Sequence, residues 1–213
     1  SDIFLRSACI IGVSMTVTAI GARLGAMTLA ANAVMIQFFV FFSYCMDGFA
    51  FTGEALCGRF AGGRDLTMLR RSVHRLLMWS AAMALLFTSV YMLFYGDIIS
   101  FITNDQAVID TIRCYRGWIF AIPVLSVMAF IYDGFFIGMT ATRRMLVVTA
   151  IASAIFMTVS FVHFRDGGIT IGLPENNVLW AAFMSYLLAR GSLLAVQSRT
   201  VMRHAAQGGN NQP

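Results

Sequence analysis

The chain has 213 residues, of which 59% are hydrophobic and 12% charged, and its mean hydropathy is +0.76. A water-soluble domain carries roughly a quarter charged residues, so this composition leaves too little polar surface to cover a soluble globule. The net charge of +5 rests on arginine alone, with no lysine; in so apolar a chain the positions of those charges matter more than their sum, and nucleic acid is not an expected partner.

A bilayer core about 30 Å thick is crossed by about 20 apolar residues in a helix. Six segments reach that length, at about 4–22, 32–56, 76–95, 117–138, 146–163 and 178–198. None alternates apolar with polar residues as a transmembrane barrel strand does, and only a helix satisfies its own backbone in lipid. The expected fold is therefore all-α: a polytopic bundle of six transmembrane helices over residues 1–200, with the lipid bilayer as its surroundings. The last residues, AAQGGNNQP, are small and polar and predict a disordered cytoplasmic tail over 201–213.

The first span carries Arg6 at its start, with no small-residue cleavage signal after it, so it reads as a membrane helix rather than a removable leader. The connection after the second span carries Arg59, Arg64, Arg70, Arg71 and Arg75, the one after the fourth Arg143 and Arg144, and the tail Arg199 and Arg203. With Arg6 these make ten arginines on one side, against Arg23, Arg113, Arg116 and Arg165 on the other. The positive-inside rule then puts both termini in the cytoplasm. Trp118 and Trp180 fall at outer ends of spans and Trp79 near an inner end, as an aromatic belt predicts. The outer connections from Gly96 to Gly117 and from Arg165 to Asn177 are the longest, and the first is expected to hold a surface helix running into the fourth span.

Charged residues at membrane depth cost about 2.5–3.5 kcal/mol each on insertion scales and so mark candidate sites. Asp47 and Glu54 lie in the second span, Asp133 in the fourth and Arg190 in the sixth. Seven residues separate Asp47 from Glu54, nearly two helical turns, so they share a face. Asp47 precedes Arg59 by twelve residues and Asp133 precedes Arg143 by ten. At about 1.5 Å per residue the two carboxylates lie at similar depth and are candidates to line one cavity as a cation or proton site, with Tyr44 and Tyr132 as hydrogen-bond partners. The structural alternative is an ion pair of Arg190 with Glu54 or Asp133. Gly134 with Gly138, and Gly21 with Gly25, have the four-residue spacing that lets helices approach closely.

Enzyme signatures such as HExxH, GxSxG, a Walker loop and GxGxxG are missing from the sequence, and His74, His163 and His204 have no metal-ligand spacing. The expectation is a protein that is not an enzyme, with no catalytic residues, no metal and no cofactor beyond a coupling ion.

The segment GARLGAMTLAANAVMIQFFVFFSYCMDGFAFTGEALCGRFAGGRD resembles the seventh and eighth helices of multidrug and toxic compound extrusion transporters, nearest to their DNA-damage-inducible F branch. AIPVLSVMAFIYDGFFIGMTATRRM resembles the family's tenth helix and its cytoplasmic exit, so the likeness covers residues 1 to 200. Full members have twelve helices in two lobes. The first span here lacks the Pro and Asp typical of the family's first helix, so the resemblance implies the carboxy-terminal lobe, with an amino-terminal six-helix lobe as missing partner. It further implies a secondary active antiporter in the plasma membrane, the bacterial inner membrane, exporting amphipathic or cationic drugs by alternating access. An acid on the family's tenth helix is implicated in cation coupling, and Asp133 stands at the matching place. Some branches also use a Glu on the seventh helix, which this chain lacks, so protons are favoured over sodium ions, through Asp133 and Asp47. A flippase for lipid-linked precursors and a non-catalytic membrane subunit are the alternatives; the first predicts a more cationic cavity than Arg190 alone provides.

Overall fold

In the computed structural model, which describes residues 2–165 and 174–207, the described residues form six helices. They are α1 (Asp2–Arg23), α2 (Ala26–Gly62), α3 (Leu66–Ile102), α4 (Gln106–Gly138), α5 (Thr142–Arg165) and α6 (Glu175–Gln207). All six are long and apolar enough to cross a membrane. Helices α2 and α3 have 37 residues each, about 55 Å at 1.5 Å per residue, so they outreach the hydrocarbon core, their ends standing beyond it or their axes tilted.

Helices α3 and α4 begin ahead of their apolar cores, each at a capping aspartate. Asp65 caps α3 by accepting from the Met68 N–H at 2.9 Å, and Asp105 caps α4 by accepting from Ala107 N–H at 2.9 Å and Val108 N–H at 3.4 Å. The outer connection expected from Gly96 to Gly117 thus shrinks to 103–105, and the expected surface helix is continuous with span four. Helix α4 also continues through Pro123. Gly25 takes φ 112° at the start of α2, a backbone conformation open to glycine, so it forms a turn and not the helix contact expected of the Gly21–Gly25 pair. The turns after α2 and α4 share one design: Arg64 (φ 55°) and Thr140 (φ 54°) are left-handed, while Asp65 N–H reaches Phe60 O and Ala141 N–H reaches Phe136 O, both at 2.9 Å. Helix α6 carries on to Gln207, so residues 201–207 are helical rather than tail; residues 208–213 and 166–173 lie outside the described residues.

Helix α4 forms the spine of the bundle, packed against α2, α3 and α6, while α1 lies chiefly along α5. The closest approach is between α4 and α2. A methyl group at Gly134 would fall on the Ala50 carbonyl oxygen, and one at Gly138 on that of Glu54, so the two backbones touch at this spacing of four residues. Phe38, Phe42, Phe87 and Tyr91 meet edge to face in the core. Trp180 departs from the belt reading. It is 1% exposed, and its indole N–H donates to Oδ1 of buried Asn32 at 2.9 Å. A tryptophan near a span's end serves the lipid interface or the core, and here the buried acceptor on α2 selects the core.

Candidate functional site

In the half of the bundle nearer the α2–α3 and α4–α5 turns, four helices line a cavity of about 320 Å³. Its wall takes Arg6 and Ile10 from α1, Ser43, Asp47, Ala50 and Glu54 from α2, Asp133, Gly134 and Ile137 from α4, and Leu187 and Arg190 from α6. The α2 contributors recur every three to four residues because one helix face turns inward. The absence of side chains at Gly134 and Gly138 brings that face against α4. Four residues singled out from the sequence, Asp47, Glu54, Asp133 and Arg190, are therefore gathered around one space.

Asp133 is the centre of its charge network. It is 8% exposed and Arg190 6%, and Nη2 of Arg190 donates to Oδ2 of Asp133. Nη2 of Arg6 donates to the same oxygen. Three helices are thus tied at one carboxylate, whose other oxygen, Oδ1, is buried without a partner, as are Nε of Arg6 and Nε of Arg190. Two cations facing one anion leave the triad with one formal positive charge, which Asp47 and Glu54 on the same wall offset at longer range. Among the described residues no three carboxylate, His or Cys side chains stand close enough to hold a metal ion.

The tyrosines are placed elsewhere. Tyr44 is 72% exposed and lines a separate aromatic groove of about 770 Å³ with Phe41, Tyr91, Phe94 and Asp97, between α2 and α3. Three residues before Asp47, it is turned about 60° around the helix, enough to leave the cavity. Tyr132 is buried in a hydrophobic cluster with Cys57, Leu69 and Phe136, its ring edge-on to Phe135. Neither forms the expected hydrogen bond with its neighbouring aspartate.

The sequence places Arg6 among the basic flanks expected on the cytoplasmic side. The structure turns it into the protein instead, where it meets Asp133. Its position early in an apolar run is what the positive-inside rule reads as a flank; the signal available against that reading was that Ile3, Phe4 and Leu5 already lie ahead of it. The sequence reading did not single out the buried polar clasp of Asn32, Asn176 and Trp180, which joins α2 and α6 near their starts.

Comparison with known proteins agrees with this architecture. The family described as MatE matches residues 3–162. The chain is 34% identical over 194 residues to "DNA damage-inducible protein F" of Escherichia coli (strain K12), covering 91% of this chain and 40% of that protein. It is 28% identical over 166 residues to "Protein DETOXIFICATION 45, chloroplastic" of Arabidopsis thaliana, covering 76% of this chain and 30% of that one. The chain thus spans less than half the length of these curated relatives. With six membrane-length helices and a match over most of its residues, the chain belongs to the MatE family, the multidrug and toxic compound extrusion group.

Proposed function

We propose that this chain is one six-helix lobe of a secondary efflux transporter that exchanges amphipathic or cationic compounds for protons by alternating access against a second lobe. The observation that carries the reading is Asp133, a buried carboxylate shared by two arginines and opening onto a cavity that also holds Asp47 and Glu54. Protonation would remove the charge that holds Arg6 and Arg190, so proton uptake and release at Asp133 bears directly on how α1 and α6 sit against α4. Sodium is the less suited ion, because the first helix brings Arg6 to this place and no acid.

The cavity wall carries two arginines against three acids, a formal charge of −1 when all are ionised. That favours cationic cargo over the anionic headgroup of a lipid-linked precursor, and ranks export above the flippase reading. The arginine bias of the inner turns supports a bacterial inner-membrane orientation with both termini cytoplasmic, and Thr142 Oγ1 donating to Asp2 at 3.5 Å brings the start of α1 beside one of those turns.

Dye efflux from everted vesicles tests the proposal, with the chain alone, the chain co-expressed with a matching first lobe, and Asp133→Asn in each. Export by the pair that is lost in the variant is the expected result. Export unchanged by Asp133→Asn overturns the coupling role, and export by the chain alone overturns the half-transporter.

A further inference from the structure

The guanidinium of Arg6 lines the cavity and donates to its most buried carboxylate, Asp133. It reaches Asp133 from α1, the least buried of the six helices. It shares its acceptor oxygen with Arg190, so Asp133 keeps a counter-charge when Arg6 is absent. The second oxygen, Oδ1, is unpartnered on a residue more than nine-tenths buried that faces the cavity. The cavity itself, at about 320 Å³, far exceeds the roughly 10–15 Å³ that a single water needs, so it has room for a small cation beside Arg6. Without Arg6 the wall would hold Arg190 against Asp47, Glu54 and Asp133, a formal charge of −2 from the residues named.

We propose that Arg6 is a built-in surrogate ligand: it occupies a recognition site for guanidinium- or amidinium-type cations, and such a cation binds by displacing it from Asp133. The physical basis is bidentate chemistry. A planar cation with several N–H donors can satisfy Oδ1 and Oδ2 together, whereas Arg6 reaches Oδ2 alone. A tethered competitor also acts at a high effective concentration, so Arg6 sets a threshold that weakly held cations such as sodium or potassium do not cross. This inference deepens the export reading by naming the cargo chemistry that the Asp133 site recognises.

The test is chemical rescue in the full chain purified in detergent. Arg6→Ala is expected to gain thermal stability from methylguanidinium, about 3–6 °C at ten times its dissociation constant. Equal sodium or potassium chloride is expected to give no such gain, and Arg6→Lys no gain from methylguanidinium. Adding Asp133→Asn to Arg6→Ala should abolish the effect. Should Arg6→Ala not fold unaided, Arg6→Ser serves in its place, and folded protein recovered only with methylguanidinium present counts for the proposal. It is overturned if neither variant responds to methylguanidinium, if sodium does as well, or if the response survives Asp133→Asn. The outcome is separable from coupling: efflux that persists in Asp133→Asn removes the proton role, while methylguanidinium rescue in Arg6→Ala leaves the recognition site standing.

Discussion

Asn32 on α2 and Asn176 on α6 exchange two hydrogen bonds, each side-chain amide donating to the other's carbonyl oxygen, at 2.8 and 3.0 Å. Both residues are buried, and Trp180 donates to the Asn32 oxygen as well. Truncating Asn32 removes the shared acceptor and strands two buried donors. Asn32→Ala is therefore expected to destabilise the bundle by about 2 kcal/mol, lowering the melting temperature in detergent by about 4–8 °C. Asn176→Ala, which leaves the Trp180 bond in place, should cost less; equal losses would mean that the indole contributes nothing.

The three members of the charge network should differ in a fixed order. Removing one partner of a buried pair costs about 3–5 kcal/mol because it leaves an uncompensated charge. Asp133→Asn strands two guanidiniums and should destabilise most. Arg190→Gln leaves Asp133 with Arg6, and Arg6→Gln leaves it with the more buried Arg190, so Arg6→Gln should cost least. Denaturant titration of the three variants in one detergent reads the order directly.

Two glycines on facing helices should respond oppositely to the same change. Gly134→Ala drives a methyl into the Ala50 backbone and is expected to cost about 1–3 kcal/mol. At Gly53 an added methyl meets Leu76 Cδ1 at an ordinary 3.5 Å, so Gly53→Ala should be neutral or raise stability by up to about 1 kcal/mol through helix propensity. Thermal melts of the pair check both signs.

Thr140 holds φ 54° in the turn between α4 and α5, a region in which a β-branched residue is rarely found. Thr140→Gly removes about 1–2 kcal/mol of left-handed strain and gives part of it back as unfolded-state entropy. A net gain of about 0.5–1 kcal/mol is expected in the same melts.

Much of this architecture is legible in the sequence. Each membrane helix announces itself through an apolar run too long for a strand, and counting residues from the inner arginines puts Asp47 and Asp133 at matching depth. What sequence could not carry was direction around the helix axis. Tyr44 lies a fraction of a turn from Asp47 yet faces a different groove. Trp180 looks like an interface anchor until its acceptor on α2 is known, and Arg6 looks like a flank until α4 supplies its carboxylate. Helix ends were underestimated for a separate reason: polar caps such as Asp65 and Asp105 lengthen a helix beyond its apolar centre.

The backbone contact between α2 and α4 has a mechanical consequence. Because Gly134 and Gly138 lie directly on the carbonyls of Ala50 and Glu54, the two helices pack backbone to backbone and form one girder in the bundle. All three cavity acids ride on that girder, while both arginines are mounted on α1 and α6. Any rocking of α1 or α6 against it therefore changes the distance between the basic and acidic sets at a stroke, with the acids holding formation among themselves.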